Sequence, residues 1–498
     1  MNSIWLENKE KNEYDVLKND IETECLIIGG GIFGTTLGYI LSKNNMKVTL
    51  IERKDDLASG TTGYTTAKIT SQHGRIYHYL INQFGEETAR KYFQANENAV
   101  RKIQEIIQSN NIDCDFKKES SYLYSVNNDE LIKLKEEYEA VKKINPKAIW
   151  VENSSLPFNI LGAIEFKDQA SFNPYKYVKG LAKKITENGG DIFCNTICYD
   201  LEKKDSIYIC KTNSYSIKAK YVVIASHYPF LNIPGFYFSK IYQTSSYVIG
   251  LDIKKKEFDG MYINIDSPTY SFRTAKINGN TILLLGGGGH KTGEMPKEDV
   301  GYESLEKVAR KWYPDCEIKY RWSTNDCISL DKIPYIGEFP KTYKNVYVAT
   351  AFNKWGMTSS YVASDIISDK ILGKENIYED IFKSTRTNFF INRDEVKNMV
   401  IDTFKGEISE RLKSVEDINL KKGEGKIIEI DGKKICIYID EKGTKYSIKP
   451  VCTHLGCMLS WNEFDKTWDC PCHGSRFTYD GKCISNPAIK DLEKIDLD

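Results

Sequence analysis

The sequence predicts a fold in three parts: an α/β domain on a parallel sheet, an antiparallel α+β subdomain interleaved with it, and a small all-β domain at the C terminus. Three observations carry this. A short apolar run, Glu24 to Ile28, ends in a glycine-rich turn and is followed by a helical pattern and a second apolar run at Lys47 to Ile51, the order of a strand–helix–strand unit. Residues 242–253, 261–273 and 281–285 are rich in strand-formers and read as an antiparallel sheet. From residue 414 the chain turns to short strands, at 426–430, 434–439 and 445–449. The boundaries that follow are an N-terminal extension over 1–22, a first domain over 23–388, a helical connection over 389–413 and a last domain over 414–498.

Length and charge narrow the class. A chain of 498 residues exceeds one ordinary core. Lys+Arg and Asp+Glu balance at 69 each, with no basic block, which argues against nucleic acid as a partner and for small-molecule chemistry. The N-terminus is polar, and no stretch approaches the ~18 apolar residues of a membrane span, so no transmembrane segment is expected. Of thirteen cysteines, four cluster near the C terminus and the rest are scattered, which suits buried thiols in a reducing cytoplasm better than a secreted disulfide framework.

The first strand leads into Gly29-Gly30-Gly31-Ile32-Phe33-Gly34, and the second strand closes on Glu52, eighteen residues after Gly34. Glycines at the first, third and sixth positions allow a tight turn, close approach of a pyrophosphate and helix–strand contact, while the acid accepts from ribose hydroxyls. This is a Rossmann-type dinucleotide site, and the motif alone does not separate FAD from NAD. Gly286 to Gly289 completes no second fingerprint, which disfavours a built-in NAD(P)H reductase.

The remaining elements follow in order. Ser59 to Lys68 is a Thr/Gly-rich loop. Glu86 to Asn110 and Asp129 to Ile144 have helical periods, and Asn173-Pro174 reads as an N-cap with proline at the first helical position of a helix that ends near Asn188. Tyr221 to Ala225 is an apolar strand, and Asn345 to Ser360 brings a strand through Gly356 into a helix from about Thr358. The loop at 59–68, the segment Asp331 to Gly337 and the closing turn at Gly356 resemble, in this order, the D-amino-acid oxidase superfamily of the glycine and sarcosine oxidase type. That resemblance implies FAD, contacted by Gly29, Gly31, Ile32, Phe33, Gly34, Glu52, Arg53, Thr61, Thr62, Thr65, Thr66, Lys68, Gly356, Met357 and Thr358. Relatives with covalent flavin use a cysteine where this chain has Thr324, or a histidine where it has Tyr64, so non-covalent FAD is implied.

The last domain carries Cys452-Thr-His454-Leu-Gly-Cys457 and, after fifteen residues counted from His454, Cys470-Pro-Cys472-His473-Gly-Ser475. Two Cys-plus-His pairs from two loops suit an iron-sulfur centre with one thiolate-held and one imidazole-held iron. Tetrahedral zinc also takes Cys2His2, but does not ask for the two additional cysteines. The pattern resembles the quinol-oxidising Rieske subtype. It implies a 2Fe-2S cluster on Cys452, His454, Cys470 and His473, with Cys457 and Cys472 paired as a disulfide. Those relatives place a tyrosine hydroxyl against a ligand sulfur where this chain has Phe477, while Ser475 is kept; the loss lowers the potential within a Rieske range of about −150 to +300 mV.

Together the two resemblances imply a dehydrogenase that oxidises a C–N bond of an amine or amino acid at FAD and passes electrons through the Rieske cluster to an external one-electron acceptor, a protein or a quinone. The alternatives are a non-catalytic electron carrier or redox sensor that docks a protein partner, and an oxygen-using amine oxidase with a structural cluster. Lys68, Arg273 and Lys354 are the cations beside flavin-facing segments expected to position a substrate carboxylate, with Tyr242 and Tyr247 as pocket candidates.

Overall fold

The computed structural model describes residues 3–7, 9, 12–231, 234–254, 258–294, 300–340, 342–386, 420–430 and 432–496; the connection expected over 389–413 lies outside them. The strand Ile21–Ile28 pairs in parallel with Val48–Ile51 on one side and Ser216–Ile224 on the other. Its inner residues Cys25, Leu26 and Ile27 are fully buried, as a parallel strand covered on both faces requires. The sheet runs on to Asp191–Phe193 at one end and to Val346–Thr350 and Tyr335–Glu338 at the other. The helices Ile32–Lys43 and Gly356–Ile371 pack together on it. The helix Pro174–Glu187 starts as expected, with Asn173 accepting from the Tyr175 and Lys176 N–H groups.

A second, nine-stranded sheet stands over the first. At one edge Ile241–Asp252 pairs antiparallel with both Glu317–Ser329 and Asn280–Lys291. The last of these continues through Gly286–Gly289 with a β-bulge opposite Ser245–Tyr247, so the glycine run is strand and not a nucleotide loop. A side chain at Gly288, where φ is +59°, would meet the Gly301 carbonyl at 2.6 Å.

The C-terminal domain has a three-stranded sheet (Gly425–Ile430, Lys433–Ile439, Lys445–Ile448) and a four-stranded one (Ser460–Asn462, Thr467–Asp469, Arg476–Thr478, Cys483–Ser485). Leu459, Trp468, Phe477 and Cys436 form its core. It sits directly on the large sheet. Phe464 packs its ring on Tyr247 at 5.6 Å, and Ser460 Oγ donates to the Gly293 carbonyl at 2.7 Å. Glycine is needed on the receiving side, because a Cβ at Gly293 would meet Pro471 N at 2.4 Å and one at Gly301 the Phe464 ring at 2.5 Å.

Candidate active site: a flavin cavity walled by the cluster domain

At the strand ends of the parallel sheet lies a cavity of about 650 Å3. Gly29, Gly31, Ile32, Phe33, Glu52, Arg53, Thr61, Thr62 and Thr65 line it, as do Lys354, Gly356 and Met357. The floor is a cradle that side chains would fill: a Cβ at Gly29 would meet the Ala225 carbonyl at 2.4 Å, and one at Gly34 the Gly29 carbonyl at 2.0 Å. Gly34 therefore works from behind, by letting helix approach strand, and does not reach the cavity. Glu52 accepts from the Gly30 N–H at 2.7 Å and the Lys54 N–H at 2.9 Å, which fixes its carboxylate at the rim with acceptor capacity left over. Neither Ile32–Lys43 nor Gly356–Ile371 is capped by the side chain of its own N-cap residue, although the Ile32 N–H donates to Thr62 Oγ1 at 3.1 Å, and both begin on the cavity wall, so two positive helix ends face it. Cradle, rim acid and helix ends together fit a dinucleotide such as FAD.

Other expected contacts lie elsewhere. Thr358 is turned into the protein, where its hydroxyl meets His73 Nε2 at 3.1 Å and the Thr70 carbonyl at 3.3 Å. Arg273 is buried and donates to the carbonyls of Thr66 and Ala67 at 2.9 and 2.7 Å, with the Trp5 ring over its guanidinium. Lys68 Nζ bonds Thr66 Oγ1 at 3.3 Å; burial pushes this amine down to about 7, with the Arg273 charge adding to the effect. Lys68, Arg273 and Thr66 thus brace the Thr65–Ala67 turn from outside the cavity wall. Tyr247 meets His290 and Asn462, and neither it nor Tyr242 lines the cavity.

Lys354 is different. It lines the cavity with its side chain open to it and reaches Ser246 Oγ at 2.9 Å; the loss of bulk water around the amine in the cavity lowers its pKa against the opposing pull of Asp326. Asp326 lines the same wall, and burial raises it to about 6 despite Lys354. His227 also lines it, held neutral by burial, which pushes the imidazole down to about 4. Nothing in the sequence marks Asp326 or His227, since each stands alone in a strand or after one.

The far wall of the cavity belongs to the C-terminal domain, through Phe464, Asp465, Arg476 and Asn486. Arg476 is the anchor. It bonds Asp465 at 2.5 Å and Asp469 at 3.0 Å within its own domain and reaches across to Asn325 Oδ1 at 3.1 Å. Burial works against this cation, but Asp469 and Asp465 outweigh it and keep it charged.

One residue from Arg476 begins the second site. Cys452 and Cys470 face each other, and the His454 and His473 rings stand edge to face at 5.0 Å. His473 Nδ1 is buried with no partner among the described residues. The Cys470 thiol, by hydrogen bonding, draws Cys452 down to about 7 against burial; the N–H groups of His454 and Leu455 and the Ser475 hydroxyl add to this, and Cys470 is pushed up in return. Cys457 and Cys472 form a disulfide with Cα atoms 6.5 Å apart. Their sulfurs lie close to Cys470, but being bonded to each other they leave Cys452 and Cys470 as the thiols available to a metal. Two facing thiols, an orphaned imidazole nitrogen and a second imidazole fit an iron-sulfur centre of mixed ligation.

The cluster loop is held to the flavin domain. Gln243, itself buried, donates through Nε2 to the His473 carbonyl at 2.8 Å and to the Asn486 carbonyl at 2.9 Å. The Phe238 ring stands edge to face on His473 at 5.9 Å. Among the described residues no helix is long and apolar enough to cross a membrane.

Comparison with known proteins agrees with both cofactors. The model of the family FAD dependent oxidoreductase matches residues 24–370, and that of the Rieske [2Fe-2S] domain matches 411–496. The chain is 37% identical over 498 residues, covering 100% of it and 98% of the relative, to YhfW of Bacillus subtilis (strain 168), whose name marks it as a Rieske 2Fe-2S iron-sulfur protein. It is 21% identical over 376 residues to gamma-glutamylputrescine oxidoreductase of Escherichia coli (strain K12), covering 72% of this chain and 86% of that one. Among solved structures it is similar to glycine oxidase from Geobacillus kaustophilus, with a TM-score of 0.61 at 18% identity over 74% of this chain and 99% of that one. The chain belongs to the FAD-dependent oxidoreductase family and carries a Rieske [2Fe-2S] domain at its C terminus.

Proposed function

We propose that this oxidoreductase removes electrons from the C–N bond of an amine or amino acid and delivers them, one at a time, through its own Rieske domain to an external acceptor. FAD supplies the two-electron acceptance and the cluster the single-electron transfer. The observation that carries the reading is the shared wall: Arg476, whose backbone adjoins the cluster loop, lines the flavin cavity. The similarity to gamma-glutamylputrescine oxidoreductase supports an amine as the donor.

The chain's own residues have separable roles in this scheme. The Phe464, Asp465 and Asn486 wall closes one side of the cavity to water. Of the three cations considered for the substrate carboxylate, Lys354 is the one that lines the cavity and takes that role, while Lys68 and Arg273 hold the Thr65–Ala67 turn. Asp326, with its pKa at about 6 beside Lys354, holds or releases a proton near neutral pH. Gln243 keeps the cluster loop seated. Apart from Cys452 and Cys470, the free cysteines among the described residues are mostly buried, which suits a reducing cytoplasm.

The test is anaerobic mixing of the loaded protein with a panel of N-methyl amines and amino acids, read by flavin bleaching and low-temperature EPR beside a dithionite-reduced control. Bleaching together with a cluster signal on one amine is the expected result. A cluster signal only with dithionite would overturn the amine reading and favour a carrier that docks a protein donor.

A further inference from the structure

Tyr228 follows the strand Ser216–Ile224 in the loop that also carries Ser226, His227 and Phe230. Those three line the flavin cavity and Tyr228 does not. Its side chain is fully buried, and its hydroxyl has no hydrogen-bond partner among the described residues. A buried hydroxyl left unpaired is destabilising, so the site calls for an acceptor.

The surroundings of Tyr228 say which one. Asn486 Nδ2 donates to the carbonyls of Ser226 at 3.2 Å and Tyr228 at 3.1 Å, and the Asn486 carbonyl accepts from Gln243, which also holds the His473 carbonyl. The Tyr228 loop and the cluster loop are therefore tied to one another through two side chains. Besides burial, the charges that bear on the phenol are the Cys327 and Cys470 thiols. Cys327 already pairs with the Thr350 hydroxyl. Cys470 meets the Cys452 thiol and the main-chain N–H groups of His473 and Cys472, whereas Cys452 has the Ser475 hydroxyl as well. Within the cluster domain Phe477, buried beneath the same loop, has no hydroxyl to offer.

We propose that the Tyr228 hydroxyl, a donor from the flavin domain, hydrogen-bonds the Cys470 sulfur of the loaded cluster, so that domain docking sets the cluster's reduction potential. A donor on a ligand sulfur stabilises the more negative reduced state and raises the potential. Tyr228 is a positioning and tuning residue here, with no contact to substrate.

The test is an EPR-monitored redox titration of the cluster in the full chain with FAD and iron loaded, wild type against Tyr228→Phe, which removes one oxygen. A hydrogen bond to a charged group is worth about 1.5–3 kcal/mol, so at the wild-type midpoint the reduced-to-oxidised ratio should fall about ten- to a hundredfold, with altered g-values and unchanged FAD content. Cys327→Ala should leave the ratio at its wild-type value. An unchanged potential in Tyr228→Phe overturns the proposal, and so does a shift in Cys327→Ala that Tyr228→Phe does not enlarge. The titration uses dithionite and mediators and no amine, so its outcome is independent of whether the chain oxidises amines.

Discussion

The two redox sites of this chain are built in opposite ways. The cluster site is a set of side chains from two loops, Cys452–Cys457 and Cys470–Ser475, braced by their own disulfide. The flavin cavity is mostly backbone: glycines that leave room, helix ends that present N–H groups, and a wall assembled from segments between Ile28 and Ile489. The first kind of site is lost by removing one atom, the second by adding one. Between them stands Arg476, belonging to the cluster domain by sequence and to the flavin cavity by position.

The largest expected effects set these constructions against each other. Cys452→Ser should abolish the Rieske EPR signal and the bound iron while flavin absorbance per chain stays near wild type. Gly34→Val should do the reverse, since its Cβ would lie 2.0 Å from the Gly29 carbonyl. Overpacking of this kind costs ~1–3 kcal/mol and should weaken FAD binding about tenfold or more while iron content is retained. Loss of both cofactors in either variant would break the comparison, because it would mean that the sites are not separately held.

Arg476→Gln comes next. It leaves Asp465 and Asp469 buried without their cation, and breaking a buried ionic network from one side costs about 3–5 kcal/mol. Calorimetry should show a lower transition, split in two as the domains uncouple. A single unshifted transition would contradict the role given to Arg476.

The smallest effect is a pH dependence. Unfolded His227 titrates near 6.5 and folded His227 near 4, so between these values the unfolded chain binds a proton that the folded chain does not. Stability is therefore lost as pH falls through this window, by about 1.4 kcal/mol per pH unit for one imidazole. Asp326, whose folded value is raised, works in the opposite sense, so the difference between wild type and His227→Gln is the quantity to measure. The stability gap should move against the wild type from pH 6.5 to 4, and a constant gap would place the imidazole in water.

Legibility in the sequence follows the same division. The two Cys-plus-His pairs at 452–454 and 470–473 stand out in the sequence because their chemistry is in their own side chains at short spacing, and the structure brings their thiols and rings together; Gly29 to Glu52 stands out because a strand, a turn and a helix must surround it. Thr66, Lys68, Arg273 and Thr358 lie in the right segments, but periodicity does not tell which way a loop side chain turns; Arg273 turns to two carbonyls and Thr358 to His73. Asp326, His227 and Gln243 carry no local signal. Asp326 and Gln243 matter because their strands, Glu317–Ser329 and Ile241–Asp252, come to lie under the later C-terminal domain, and His227 because the loop after Ser216–Ile224 is held to that domain through Asn486. Arg476 had a partial signal, a charge between Ser475 and the buried Phe477 in a strand, but its partner Asn325 is set by docking alone.

The central claim is that flavin site and cluster work as one unit across a fixed, buried contact. Its most direct test is freeze-quench EPR of cluster reduction after anaerobic mixing with a donor that bleaches the flavin, repeated over a tenfold range of protein concentration. The account predicts a cluster signal that rises at one rate whatever the concentration, as transfer within a chain must. A rate proportional to protein concentration would show electrons passing between molecules and would contradict it.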